Sequence, residues 1–199
     1  GGTRFYDRRE VRDALAYLRL AANPSDEVAA RRVVNVPKRG VGDTSLAKVD
    51  AWVGAHGTGF VEGLAHHSEA GIGGRAATGI AAFIDLSAAL VGQVEDGPAT
   101  VIKAALDRSG YLDELRAEGS IEAEGRLENL AELVGVAAAF DDAGEFLERV
   151  GLVADTDDLP AGEEGPGDDA GQVLLMTLHA AKGLEYPVVF LVGMEDGVF

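Results

Sequence analysis

The sequence predicts a mainly α-helical protein that closes on the first part of an α/β unit. Three observations carry that prediction. Apolar residues recur at helical spacing through most of the stretch from 10 to 152. Between 24 and 154 no segment has the pattern of a strand. After an acidic stretch containing Pro and Gly, at 155–171, the composition switches to two short apolar runs rich in branched residues.

The elements follow in order. In EVRDALAYLRLAA (10–22), Val11, Ala14, Leu15 and Leu18 share one helical face, with Arg12, Asp13 and Arg19 on the others. NPS at 23–25 stops that helix, and Ser25 is the expected N-cap of the next, over 26–34. PKRGVGDTS (37–45) is a turn, because Pro and two glycines exclude regular structure. Thr44 or Asp43 is placed to cap a helix over 44–56 that puts Leu46, Val49, Trp52 and Val53 on one side. Further helices are expected at 59–67, 74–94, 98–108, 111–118, 121–139 and 143–152. The stretch DTDDLPAGEEGPGDDAG (155–171) has seven acidic residues and no Lys or Arg, the composition of a mobile, solvated loop. QVLLMTL (172–178) and VVFLV (188–192) suit strands buried on both faces. With little sheet around them, these strands should be poorly ordered or pair with the N-terminus or another molecule. No internal repeat is present.

Composition bounds the function classes. With 47% hydrophobic residues the chain is globular, and no apolar run approaches the roughly 18–20 residues of a membrane-spanning helix. No secretory signal opens the chain, since GGTRFYDRRE is charged from its fourth residue. Cysteine is absent, which excludes disulfides and thiolate metal sites; the expected location is the cytoplasm. The net charge of −17 argues against nucleic acid until its distribution is considered. Residues 1–60 carry ten Lys/Arg against seven Asp/Glu, a net of +3, whereas 61–199 carry seven against twenty-seven, a net of −20. A mildly basic N-terminal third sits on an acidic body.

Two stretches carry chemistry. In RGVGDTS (39–45), Gly40 and Gly42 let the backbone approach a ligand closely, and a helix starts immediately afterwards. Free N–H groups at a helix start suit phosphate. Flanking helices give this the form of a helix-hairpin-helix, and Arg31, Arg32, Lys38, Arg39 and Lys48 surround it. Contact with a DNA backbone there would be independent of base sequence and sensitive to salt; a plain Gly-containing turn is the alternative. In TLHAAKGLEYP (177–187), Thr177 falls at the carboxyl end of a buried strand, where open parallel sheets bind ligands. His179, Lys182 and Glu185 follow with side chains able to bind phosphate or sugar hydroxyls, although an ordinary strand-loop-strand connection would also account for them.

The run VLLMTLHAAKGLEYPVVFLVGMEDGVF (173–199) resembles, nearly position for position, motif V of the UvrD/PcrA/Rep group of superfamily 1 DNA helicases. The N-terminal stretch GGTRFYDRREVRDALAYLRLAANPSDEVAARRVVNVPKRG is similar to the part of those helicases where the chain leaves the second motor domain, subdomain 2A, for the helical insertion 2B. The resemblance therefore implies a helical 2B-like insertion domain flanked by short segments of an incomplete RecA-like α/β domain. On this reading 1–23 ends the first part of 2A, 24–171 is 2B, and 172–199 returns into 2A.

The family carries further expectations. Thr177 and His179 match positions on the single strand, Gly183 and Glu185 match positions facing the nucleotide, and the GVG at 40–42 matches a GIG element on duplex DNA, with Val41 for Ile. Tyr186 and Asp196 stand where Phe and Glu are usual. The parent would be a bacterial, nucleoid-associated 3'-to-5' helicase of nucleotide excision repair and DNA maintenance, using ATP and Mg²⁺. Its 2B would grip duplex DNA and regulate the motor by swivelling. The alternative is an interaction module whose acidic surface binds repair partners or a second copy, with DNA contact incidental.

Other features point nowhere comparable. No G-x-x-x-x-G-K-[ST] loop occurs, so the chain alone is expected neither to hydrolyse ATP nor to unwind DNA, and it reads as an excised piece. GIGGRA (71–76) fits a dinucleotide loop only in outline, since no strand precedes it, and is expected to be a flexible helix connection. His66 and His67 point about 100° apart on a helix and share a metal poorly. DTDDLPAGEEGP lacks the central Gly and terminal Glu of a calcium loop. Arg4, Arg8 and Arg9 are expected to pair with Asp7, Glu10 and Asp13 at the surface. No nucleophile, base or metal constellation in 24–154 supports an independent enzyme.

Overall fold

The computed structural model describes residues 3–157, together with 181, 185–186 and 188–190. Among the described residues there are ten α-helices and no strand. They are α1 (Thr3–Tyr6), α2 (Arg9–Ala22), α3 (Glu27–Val33), α4 (Asp43–His56), α5 (Phe60–Ala65), α6 (Gly74–Val91), α7 (Pro98–Arg108), α8 (Tyr111–Glu118), α9 (Ile121–Ala137) and α10 (Ala143–Asp157). A short 3₁₀ turn, Val94–Asp96, lies between α6 and α7.

Helix α2 is the hub. It packs against α1, α3, α6, α7, α9 and α10, and Val11, Ala14, Tyr17 and Leu18 are fully enclosed. Phe83 and Leu90 of α6, Ile102 of α7, Leu133 of α9 and Phe146 of α10 complete the surrounding core. Each such side chain contributes about 1.5–3 kcal/mol relative to exposure. Helix α2, which ends just before the boundary drawn at residue 23, therefore packs closely against the helices that follow it. Its polar face is also less exposed than expected. Asp13 is 2% exposed, because α2 is covered on nearly every side.

Several element ends differ from expectation. Asp26, rather than Ser25, caps α3, accepting from the Ala29 amide at 2.9 Å, because the helix starts at Glu27 and only Asp26 lies three residues before Ala29. Gly42 occupies the N-cap of α4 with no side-chain cap, placing Asp43 and Thr44 inside the first turn. Helix α10 runs on to Asp157, so the acidic stretch begins in helix. Helix α6 is 18 residues and long and apolar enough to span a membrane by length and composition, contrary to the run-length reading. Here Ile80, Phe83, Leu86 and Leu90 form a core stripe beneath α2, α5 and α7.

Residues 188–190 carry no strand and are exposed, Phe190 at 86%. The rest of the strand expected at 188–192 lies outside the described residues. The stretch 158–171, the run 172–178, and the individual positions Thr177, His179, Lys182 and Gly183 lie outside the described residues, as does the Arg4 side chain.

Candidate nucleic-acid interface

The turn between α3 and α4 has an inner and an outer side. On the inner side, Val41 is 1% exposed and inserts into the core. The Asn35 side-chain oxygen accepts from the Arg39 amide at 2.7 Å and the Val41 amide at 3.2 Å, bracing the loop in the manner of an Asn-centred turn. The Val36–Pro37 peptide is cis. On the outer side, Gly40, Gly42, Asp43 and Thr44 are exposed, and their amides have no acceptor among the described residues. Gly40 has φ +80°, a backbone shape that side chains resist. The first turn of α4 follows directly, so the open amides coincide with the positive end of that helix.

The cations named from the sequence divide sharply. Arg39 is turned inward. Its Nη1 lies 2.9, 3.3, 3.1 and 3.4 Å from the carbonyl oxygens of Val33, Val34, Val36 and Pro37, and its Nη2 donates to Tyr17 Oη at 2.7 Å. This departs from the expected outward contact, because the last carbonyls of α3 offer a guanidinium more acceptors than solvent would organise. Arg31 pairs with Glu27 (2.7 Å) and Asp50 and lies 3.9 Å over the Phe60 ring. Its pKa is raised, chiefly by the hydrogen bond to Asp50. Arg32 points the other way, onto Asp13 at 2.8 Å. Lys48 is exposed but donates to the Gly71 carbonyl at 2.7 Å. Lys38 is exposed with no ion pair among the described residues.

One cation was missed. Arg75, in the first turn of α6, is exposed and lies across Gly40, whose added Cβ would stand 2.8 Å from Arg75 Cγ. It has no ion pair among the described residues, so Lys38 and Arg75 are the unengaged cations at this corner. Lys48 reaching Gly71 ties the same two segments together. The signal was available in GIGGRA, which does follow a helix and a turn, but nothing local in the sequence announces that 71–76 folds beside 40–42. Asp43, exposed at the same corner, sets an acid among these cations.

Around this face the remaining polar groups are structural. Tyr111 Oη donates to Asp13 at 2.9 Å, and Asn129 donates to Glu10 at 2.6 Å while accepting from Arg8. Arg9 stands 3.9 Å from Asp13. Burial raises the pKa of Tyr111, with Asp13 adding to the shift, and burial likewise raises that of Tyr17. His66 stacks on Trp52 at 4.7 Å and turns Nδ1 to the Glu62 carbonyl, while His67 turns Nδ1 to that of Leu64. Of the motif V positions, Glu185 is described and exposed.

Comparison with known proteins places the chain. The UvrD-like helicase C-terminal domain family matches residues 1–61 and 81–199. Over the whole chain, identity is 44% to the ATP-dependent DNA helicase PcrA of Bacillus subtilis, of which the chain covers 28%. It is 42% to the ATP-dependent DNA helicase UvrD1 of Mycobacterium tuberculosis, covering 28%, and 40% to DNA helicase II of Rickettsia typhi, covering 30%. The chain thus spans less than a third of the length of these relatives. With both its ends and most of its helical body matched, the chain belongs to the UvrD-like helicase C-terminal domain family, as part of a UvrD/PcrA-type superfamily 1 helicase.

Proposed function

We propose that this chain is the duplex-DNA-binding and regulatory subdomain of an ATP-dependent 3'-to-5' DNA helicase that serves nucleotide excision repair and DNA maintenance. Residues 24–171 act as 2B, with 1–23 ending the first part of 2A and 172–199 returning into it. The observation that carries this reading is the outer side of the α3–α4 turn. Open amides of Gly40, Gly42, Asp43 and Thr44 stand at a helix start between the unengaged cations Lys38 and Arg75. Such a corner fits the sugar–phosphate backbone and reads no bases.

ATP and Mg²⁺ belong to the complete motor. Here only Gly183 and Glu185 are candidates to face the nucleotide, and Thr177 and His179 to face the single strand, so no catalytic step is assigned to this chain. The regulatory role, a change of orientation biased by repair partners or a second copy, rests on the family resemblance alone.

The test is equilibrium binding of the 199-residue chain to a labelled hairpin duplex, followed by fluorescence anisotropy across a salt series. Binding should weaken with salt, and Lys38→Ala with Arg75→Ala should lower the slope of log K against log salt by about 1.8, at about 0.9 per phosphate contact. Salt-dependent binding that both substitutions leave unchanged would move the function to the acidic surface, as a protein-interaction or self-association module.

A further inference from the structure

We infer that Arg39 is a positioning residue: the Tyr17–Arg39 clasp, together with Asn35, sets the angle at which Gly40–Gly42 leaves α3 and so aims the corner's free amides. The inference rests on the duplex-binding reading of that corner, but its structural half can be tested without DNA.

Four links converge on Arg39. Its guanidinium takes up the carbonyls of Val33 and Val34 at the end of α3 and of Val36 in the turn beyond, and sits at the negative end of that helix. Its Nη2 reaches Tyr17 Oη in α2, and Tyr17 donates in turn to the Val36 carbonyl, so the hydroxyl has one bond on each side. Its guanidinium carbon stands 5.7 Å from the centre of the Phe83 ring on α6. Its backbone is held at both ends, the amide by Asn35 and the carbonyl against Gly79, where even a Cβ would be 2.2 Å away. One residue therefore joins α2, α3 and α6 immediately before Gly40. A planar fork of donors spans several carbonyls and a hydroxyl at once, whereas an ammonium offers three donors from one point. Arg39 thus carries a charge next to the proposed DNA site while its donors are directed into the protein.

This separates two roles that a plain loss of binding would confuse. A phosphate contact depends on charge, so Lys should largely replace Arg and Ala should remove one contact from the salt slope. A clasp depends on the fork, so Lys should fail nearly as badly as Ala.

The experiment compares wild type, Arg39→Lys, Arg39→Ala and the milder Tyr17→Phe in the 199-residue chain. Hairpin-duplex affinity is measured over a salt series, and amide hydrogen exchange at Arg39 and Val41 is followed by NMR at a temperature where circular dichroism reports an intact fold. The expected result is a similar loss of affinity, about tenfold, for Arg39→Lys and Arg39→Ala, with the salt slope of wild type retained and faster exchange at both amides. Tyr17→Phe should give a smaller change in the same direction. Wild-type affinity in Arg39→Lys, with about 0.9 lost from the slope in Arg39→Ala, would overturn the inference in favour of a direct contact. Unchanged exchange in every variant would also overturn it. If wild type itself does not bind the duplex, the functional reading fails, and the exchange data still decide whether the clasp shapes the turn.

Discussion

The carbonyl oxygen of Arg39 lies where Gly79 must have no side chain: a Cβ on Gly79 would stand 2.2 Å from it. The α3–α4 turn and the middle of α6 are therefore in backbone contact, and one hydrogen atom sets their separation. In an exposed helix interior, Gly→Ala stabilises by roughly 0.5–1 kcal/mol. Here the opposing atom is main chain and cannot swing aside. Gly79→Ala should lower stability by about 1–3 kcal/mol, the usual range for overpacking, in urea denaturation followed by circular dichroism. A stabilised variant would show that α6 and the turn can separate freely.

Gly40 and Gly42 are two residues apart and should respond in opposite directions. Gly40 has φ +80°, and a Cβ there would meet the Arg75 side chain at 2.8 Å. Gly42 has φ −99°, with nothing within 4 Å of its would-be Cβ, and occupies an N-cap that lacks a side-chain acceptor. Gly40→Ser should cost about 1–2 kcal/mol from the left-handed backbone alone, while Gly42→Ser should gain a few tenths, roughly 0.3 kcal/mol, by capping α4. Thermal unfolding of the two variants side by side decides it, and equal destabilisation would mean the turn is not seated as described.

Asp43 should weigh stability against binding. As the first residue of α4 it favours the helix dipole, a contribution of about 0.3–1 kcal/mol. As an exposed anion beside Lys38 and Arg75 it repels phosphate. Asp43→Asn should lower the unfolding free energy by that amount yet tighten hairpin-duplex binding by about two- to fivefold, the size of a surface charge interaction. Tighter binding would fade at high salt. Weaker binding in this variant would place the DNA elsewhere on the molecule.

Most of the helical body was legible because local rules and tertiary packing agree there. The spacing of Val11, Ala14, Leu15 and Leu18 names a buried face, and the Pro and Gly positions mark the breaks between helices. The turn at 37–45 was legible from Pro37, Gly40 and Gly42, but Val41, grouped from the sequence with the duplex-facing residues, is instead buried in the core, because the apolar side chain between the two exposed glycines turns inward. What could not be read is which charges are engaged. Arg39 and Lys38 are neighbours with the same sign, and only the fold turns one onto the carbonyls of α3 and leaves the other exposed. Arg75 was invisible for a related reason, since its proximity to Gly40 comes from α6 crossing behind the turn 35 residues later in the chain. Asp13 looked like surface because a helical wheel shows one apolar face, whereas α2 is enclosed by several partners.

Asp13 now reads as a buried anchor. It is 3% exposed at the side chain, 2.8 Å from Arg32, and accepts from Tyr111. Removing one partner of a fully enclosed pair costs about 3–5 kcal/mol, but Arg32 is 28% exposed and can be rehydrated. Asp13→Ala should therefore cost about 2–4 kcal/mol. A double-mutant cycle with Arg32→Met isolates the pair, and a coupling energy near zero would show that the Tyr111 hydrogen bond or simple packing carries the effect.

Alkaline pH should expose the two clasping phenols. Burial raises the pKa of both Tyr17 and Tyr111, and Asp13 raises that of Tyr111 further. A group whose pKa is higher folded than unfolded binds its proton more tightly in the native state. Its contribution is intact below the unfolded value, about 10 for tyrosine, and is lost as pH climbs from there through the folded value. Ionisation of these residues should thus give the unfolding free energy no pH dependence near neutrality and make it fall above pH of about 10, by up to about 1.4 kcal/mol per pH unit for each phenol that stays protonated. Tyr111→Phe and Tyr17→Phe should each flatten that descent while costing stability at neutral pH, where the hydroxyl is a bonded donor. Urea titrations at a series of alkaline pH values provide the readout, and a descent equally steep in wild type and both variants would assign it to other groups.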